Sequence, residues 1–379
     1  MPTDLFVRLL QRQSLLDAWA RVRRGGKAPG LDEVTLPQFE RHLDRELDRL
    51  QRDLRTGAYR PWPARRLYLP KPAGGFRQIG VQAVRDRVAQ RALLGLMQPR
   101  IEPLLEDCSY AFRPERSVEM ALSRLEDWRQ RGFLWVGRAD VRLCFDSLDR
   151  RILERQLAQV IPEEDVRRLV RLWLEAGVVD EQGWSEPGKG VLQGDVLSPL
   201  LCNLYLDPFD EAVTGAGYPL IRYADDFLVL GRSQAQAQHG LERAGEALRA
   251  LGLDIHDGKA RVVTFVQGFE YLGAAIVGAL RLPLHRVERP GRPPRFMYGY
   301  GPPVASKRER ARWEPRSGEL PLITTRRALR DRMVELLRQE RAGRNLPPMA
   351  AALLRAWQEA DLPSPPPAEL EGWQSVYLI

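Results

Sequence analysis

Cysteine is scarce in this chain: Cys108, Cys144 and Cys202 are the only three in 379 residues. An odd, widely spaced trio provides neither a disulfide framework nor a zinc knuckle, and it fits a reducing cytoplasm. Cys144 and Cys202 stand in apolar sequence and read as plain core residues. Long hydrophobic runs are missing too. No stretch reaches the ~18 apolar residues of a membrane-spanning helix, so no membrane association is expected. The opening MPTDLFVRLLQRQ lacks the apolar segment and small-residue cleavage site of a secretory signal. Lysine is the rarer basic residue, with only Lys27, Lys71, Lys189, Lys259 and Lys307 among 58 basic residues. That bias is what a GC-rich genome produces, and it singles out Lys71, Lys189 and Lys259, which fall inside the motifs described below.

What is present is a 44% hydrophobic chain, enough for a sizeable core shared by two or three subdomains. The net charge of +8 and pI near 9.6 suit a polyanionic partner, although charge alone is a weak signal. Its distribution is more specific. Residues 281–316 hold ten Lys/Arg against three Asp/Glu, with Phe296, Tyr298, Tyr300 and Trp313 interleaved. Arginine mixed with aromatics suits a nucleic-acid strand, through phosphate contact and base stacking. Seven prolines in the same stretch fit a disordered basic connector equally well, and the two readings are compatible.

Hydrophobic periodicity predicts a helix over 38–55, a β-hairpin over 65–80 and helices over 84–98 and 117–131. A strand follows over 133–141, then helices over 149–160 and 163–176 and a further helix beginning after Pro199. LIRYA (220–224) and FLVLG (227–231) read as strands joined at Asp225 and Asp226. A helix over 233–252 and strands over 261–266 and 269–277 complete a β–α–β–β–α–β order, an α+β, ferredoxin-like split βαβ pattern. Beyond residue 280 helical stretches recur at about 324–342 and 348–360, and a stiff Pro-rich segment covers 362–373.

That fold hosts many activities, so chemistry must come from side chains. Asp140 ends the first strand and Asp225 and Asp226 sit at a hairpin tip, so a split βαβ sheet brings three carboxylates to one edge. Three like charges gather cheaply only around a counterion, and Mg²⁺ is the hard, oxygen-seeking choice. That is the two-metal layout of phosphoryl transfer. Asp-Asp is also ordinary turn chemistry. The fully apolar Phe227-Leu228-Val229-Leu230 leaving the turn, however, is unusual for a surface hairpin.

IRYADDFLVL (221–230) resembles the YADD box of bacterial reverse transcriptases, above all the group II intron lineage. Other blocks resemble that lineage in order. They are KAPGLDEVTL (27–36), YRPWPARRLYLPKPAGGFRQIGVQAVRDRVAQRAL (59–93), SYAFRPERSVEMAL (109–122), ADVRLCFDSLDR (139–150), GVLQGDVLSPLLCNLYLDPFDE (190–211), and GKARVVTF with FEYLG. The resemblance covers about residues 25–277. It implies a right-hand polymerase with fingers, a ferredoxin-like palm and a helical thumb-like region. It further implies Asp140, Val141, Asp225 and Asp226 as holders of two Mg²⁺ ions, with Mn²⁺ able to substitute. Lys71 and Arg77 would hold the incoming dNTP. Phe145 would be the gate against a 2′-hydroxyl, or else a core residue. Gln193 would touch nucleotide or template. Lys259 would donate a proton to pyrophosphate, or be a salt-bridged surface lysine. Arg113 would touch the nucleic-acid backbone, or form an internal salt bridge. The implied partners are an RNA template, a DNA or RNA primer and dNTPs, and Arg286, Arg289, Arg292 and Arg295 of the basic stretch are the candidate strand contacts.

The expected division is an N-terminal extension and fingers (1–132), a palm (133–280), a basic connector with thumb-like helices (281–361) and a linker opening a further domain (362–379). Asp195 departs from the lineage's second Gly, Lys259-Ala260 from its Lys-Thr and Asp149-Arg150 from its Asp-His. The four histidines are scattered and no His-Asn-His endonuclease pattern follows, which points to a domesticated enzyme rather than a mobile intron's maturase. The last seven residues, Trp373 to Ile379, resemble the opening strand of the CRISPR integrase, so the chain looks cut at a domain junction and spacer acquisition from RNA is one expected role, with the integrase complex as partner. A free-standing phage-defence or intron-derived enzyme is the alternative. So is a catalytically silent RNA-binding protein, against which the intact acids, Phe145, Lys71 and Arg77 speak.

Overall fold

The computed structural model describes residues 4–70, 76–185, 188–256, 258, 260–266, 268–277, 280–289 and 292–298. Lys71, Lys259, the expected thumb-like helices and the C-terminal segment lie outside these residues. Four N-terminal helices come first: α1 (Leu5–Leu9), α2 (Arg12–Val22), α3 (Leu36–Arg41) and α4 (Leu43–Thr56). The single helix expected over 38–55 is two, because His42 leaves helical geometry (φ −121°, ψ 26°). Thr35 and Gln38 form a capping box at the start of α3. Beyond the break, Leu47, Leu50 and Leu54 of α4 turn into the core, and Gly57 closes α4 in the left-handed conformation. Phe39 meanwhile stacks on Trp19, with ring centroids 5.1 Å apart.

The hairpin β1 (Ala64–Pro70) and β2 (Phe76–Val81) pairs in the expected place, from Arg65 opposite Val81 to Pro70 opposite Phe76. Helix α5 (Val84–Ile101) then runs through the interior, buried on nearly every side. After it come α6 (Val118–Gln130, capped by Ser117), β3 (Trp135–Asp140), α7 (Cys144–Ser147), α8 (Arg150–Val160) and α9 (Glu164–Glu175). Two short strands follow, β4 (Val178–Asp180) and β5 (Gly183–Ser185). Periodicity misses them because three residues are too few to show an alternation. They join the fingers hairpin in a sheet ordered β2-β1-β4-β5, so a segment from within residues 133–280 completes the fingers sheet.

The palm sheet uses β3, β6 (Leu220–Tyr223), β7 (Asp226–Gly231) and β8 (Arg261–Thr264), with α10 (Ser198–Gly215) and α11 (Gln234–Ala250) in the crossovers. Its order, β6-β7-β3-β8, is that of a split βαβ fold, as expected. β7 is buried on both faces: Phe227 and Val229 join the core under the helices, while Leu228 and Leu230 join a second core with Val136, Leu125 and Phe265. This is why the residues following the two acids are uninterruptedly apolar. The strand expected over 269–277 is split into β9 (Phe269–Tyr271) and β10 (Ala274–Val277), because Leu272 and Gly273 both take positive φ. The stretch expected to open the basic connector contains regular structure. Strands β11 (Leu280–Arg289) and β12 (Arg292–Tyr298) form an antiparallel ribbon that continues the β9–β10 pair. Among the described residues no helix is long and apolar enough to cross a membrane.

Candidate active site

The end of β3 and the start of β7 form one edge of the palm sheet, with Asp140 directly opposite Asp226 in the ladder. Asp225 is the turn residue between β6 and β7, and its carbonyl accepts the Val141 N–H at 2.9 Å. On the other side the Asp140 carbonyl accepts the His256 N–H at 2.8 Å, and Arg142 N–H donates to Asp254 at 2.8 Å. The backbone at 140–142 is therefore clamped between the acidic turn and the segment that precedes β8. Val141 has a buried side chain, so it offers the site only its backbone. All three carboxylates are half-buried. The Arg138 guanidinium lies 3.8 Å from the Asp226 carboxylate and offsets part of the local negative charge.

The three acids share this edge without closing into a cage: among the described residues, no group of three His, Cys, Asp or Glu side chains is placed to hold a metal ion unaided. Like charges repel, and Mg²⁺ characteristically keeps waters and takes other ligands from substrate phosphates. The donor set fits such an ion: hard carboxylate oxygens at the rim of an otherwise apolar sheet.

Other predicted residues sit on the segments that follow β3 and precede α10, and on the hairpin. Phe145 lies on α7, reached from β3 through Leu143, whose φ is +45°. Its ring is half-buried against the main core, and its carbonyl accepts the Val191 N–H at 2.7 Å. Gly190 (φ +79°) permits this approach, since a Cβ there would stand 2.5 Å from the Phe145 carbonyl. Gln193 follows in the same loop, and its carbonyl accepts the Gly80 N–H of β2 at 2.8 Å. That bond ties the fingers hairpin, which carries exposed Arg77 near its tip, to the loop before α10. Asp195, at the departure from the lineage pattern, accepts from Gln90 at 3.0 Å and from the Leu197 N–H at 2.9 Å, and burial pushes its carboxyl up to about 6.

Arg113 is a correction. It is buried, and its guanidinium donates to the Glu102 carboxylate at 2.7 Å and to the carbonyls of Glu106, Ser109 and Leu105. It satisfies carbonyls left over after the end of α5 and does not face nucleic acid. Arg286, Arg289, Arg292 and Arg295 fall on the β11–β12 ribbon. Cys144 and Cys202 are core residues as expected, with sulfurs 3.6 Å apart. A cluster that pattern reading missed lies behind the acids. Arg222 pairs with Asp210, both fully buried. The available signal was a lone arginine in the otherwise apolar strand start LIRY.

Protein YkfC of Escherichia coli is 37% identical over 214 residues, 54% of this chain and 56% of that protein. The group II intron-encoded protein LtrA of Lactococcus lactis subsp. cremoris is 29% identical over 191 residues, 50% of this chain and 31% of that protein. The chain thus spans about half or less of the length of these relatives. Among solved structures, telomerase from Candida albicans in complex with a telomeric RNA fragment matches at TM-score 0.49 and 12% identity, covering 66% of this chain and 50% of that one. A partial Cas6-RT-Cas1–Cas2 complex matches at TM-score 0.42 and 23% identity, covering 66% and 42%. The family described as reverse transcriptase (RNA-dependent DNA polymerase) matches residues 69–276, a span that contains β2, α5 and the whole palm sheet. With more than half of its length inside that match, this chain belongs to the reverse transcriptase family.

Proposed function

We propose that the protein extends a primer 3′-hydroxyl with dNTPs on an RNA template, with Asp140, Asp225 and Asp226 as its catalytic carboxylates. The observation that supports this most is the ladder pairing of Asp140 with Asp226 beside the Asp225 turn, within the family-matched segment. The primer 3′-hydroxyl gives up its proton to solvent water, its oxygen bonds to the α-phosphorus, the bond to the α–β bridging oxygen breaks, and pyrophosphate leaves with that electron pair. Two Mg²⁺ ions, for which Mn²⁺ substitutes, would be held by Asp140, Asp225, Asp226 and the Val141 backbone and neutralise charge on the attacking and leaving oxygens. Lys71 and Arg77 bind the triphosphate, Gln193 bears on nucleotide or template, and Lys259 protonates the leaving pyrophosphate. Phe145 excludes the ribose 2′-hydroxyl. Residues 1–132, joined by β4 and β5, serve as extension and fingers, 133–280 as palm and 281–361 as nucleic-acid contact and thumb.

Asp140→Asn and Asp225→Asn are each expected to abolish Mg²⁺-dependent incorporation while leaving thermal unfolding near wild type. Near-wild-type primer extension by either variant would sink the assignment. A narrower role, spacer acquisition from RNA beside a CRISPR integrase, rests on the resemblance at residues 373–379, with a free-standing defence or intron-derived enzyme as its rival. Pull-down with the cognate integrase pair, followed by sequencing for spacers across a spliced junction, separates them; no binding and no such spacers leave the rival.

A further inference from the structure

Among the described residues, Arg222 is the largest side chain that is fully buried. Its guanidinium donates from Nε to Asp210 Oδ1 at 2.7 Å and from Nη2 to Asp210 Oδ2 at 2.5 Å. Nη1 donates to Asn203 Oδ1 at 3.1 Å and to the Ala224 carbonyl at 3.1 Å. Asn203 and Asp210 are seven residues apart on α10, so both reach Arg222 from one helix face. Asn203 also donates to the Ala111 carbonyl at 2.8 Å. The Arg222 backbone completes the junction, its N–H donating to Cys108 at 2.8 Å and its carbonyl accepting from Tyr110 at 2.9 Å. Arg222, through its side chain and its backbone, and Asn203 beside it thus knit together α10, the 108–111 segment and the end of β6.

What this junction holds is the peptide that leads into Asp225. Ala224 is a non-glycine residue at φ +59°, a left-handed conformation that is unfavourable for an L side chain and persists only where surroundings impose it. The Arg222 hydrogen bond to its carbonyl fixes the plane of the 224–225 peptide, and with it the direction in which the Asp225 side chain leaves the turn. A buried ion pair is a poor device for stability, because apolar replacements of similar volume are often neutral or better. Its geometric yield, four directed hydrogen bonds with one aimed into the acidic turn, is what an apolar pair lacks.

We propose that Arg222, oriented by Asp210 and Asn203, is a positioning residue that sets the Asp225 carboxylate through the Ala224 carbonyl. This rests on the reading of Asp140, Asp225 and Asp226 as the catalytic carboxylates. Arg222 touches neither substrate nor reacting atoms. Misplacement of a reacting group by about 1 Å costs on the order of 100-fold in rate, so the effect belongs in kcat.

The test compares wild type with the double variant Arg222→Met/Asp210→Leu, with Arg222→Lys, and with Asp225→Asn as control. Each is followed by thermal unfolding, single-nucleotide incorporation and Mn²⁺ titration by electron paramagnetic resonance without nucleotide. The double variant is expected to unfold near the wild-type temperature and keep its KM for dNTP. Its kcat falls about 100-fold, and Mn²⁺ binds about tenfold more weakly. Arg222→Lys, which keeps the buried charge but loses the planar fork, shows a smaller loss with the same split. If the double variant does not fold, Arg222→Lys decides by that split. Failure of both to fold counts against the proposal, since Arg222 would then be a structural residue. A double variant with wild-type kcat overturns the proposal while an inactive Asp225→Asn leaves the catalytic reading standing. An active Asp225→Asn removes the reading itself.

Discussion

Phe145 shows how one backbone can define a side chain's task. Its carbonyl accepts the Val191 N–H, and the absence of a Cβ at Gly190 leaves room for that contact, so the backbone that carries the ring is held in place. If that ring is the sugar gate, Phe145→Ala opens space for a 2′-hydroxyl, and incorporation of rNTPs relative to dNTPs should rise by at least about tenfold, or 1.4 kcal/mol of discrimination. An unchanged ratio in single-nucleotide assays would make Phe145 a packing residue. A second residue acts on stability. Asp86 of α5 is fully buried, accepting from the Tyr59 hydroxyl at 2.6 Å and the Trp62 N–H at 2.9 Å, while Trp173 donates to the same hydroxyl at 2.9 Å. Burial pushes its carboxyl from 3.8 up to about 6, the two hydrogen bonds and Arg85 opposing. The folded state therefore holds the proton more tightly than the unfolded chain. The stabilisation is complete below about pH 4 and is lost as pH rises to about 6. Relative to Asp86→Asn, wild type should lose on the order of 3 kcal/mol across that window. Parallel denaturant titrations at several pH values measure the difference, and a constant gap would show that Asp86 ionises normally.

At the scale of elements, the fingers hairpin is docked by backbone. The Gly80 N–H reaches the Gln193 carbonyl, and Gly194, at φ +100°, lies against Gly80 so closely that a Cβ would stand 2.8 Å from its carbonyl. Gly194→Ala should therefore loosen the hairpin, raising KM for dNTP about tenfold through roughly 1–2 kcal/mol of strain, with kcat changing less. A KM equal to wild type would mean that Arg77 does not depend on this docking. Long, periodic or apolar elements such as α5, α10 and β7 were legible in the sequence. The breaks at His42 and at Leu272-Gly273 were not, because a local change of φ leaves hydrophobic spacing intact. The strand β4 escaped for another reason: it exists by pairing with β1, more than a hundred residues earlier.

Over the whole molecule, a net charge of +8 and a ribbon bearing Arg286, Arg289, Arg292 and Arg295 suit a phosphate-rich partner. Seven prolines over 281–316 fit an unstructured connector, yet 280–289 and 292–298 pair as β11 and β12. If the ribbon carries template-primer, replacing these arginines by glutamine should weaken binding. The salt dependence should flatten by about one unit of slope for each phosphate that is no longer neutralised. Binding titrations at several salt concentrations read this directly, and an unchanged slope would leave the ribbon without a nucleic-acid role.

The sequence by itself determined the family, the order of strands and helices in the palm, and the meeting of Asp140, Asp225 and Asp226 at one sheet edge, because each is written in local pattern: apolar runs, turn residues and a short motif. Tertiary structure alone decided which charges are buried. The sequence left Arg113 open between a strand contact and an internal salt bridge, and for Arg222 it offered only the apolar run around it, with no partner named. One satisfies leftover carbonyls beyond α5, and the other braces the turn that carries Asp225. The difference arises from partners contributed by distant segments, and only a folded chain brings such partners within hydrogen-bonding distance.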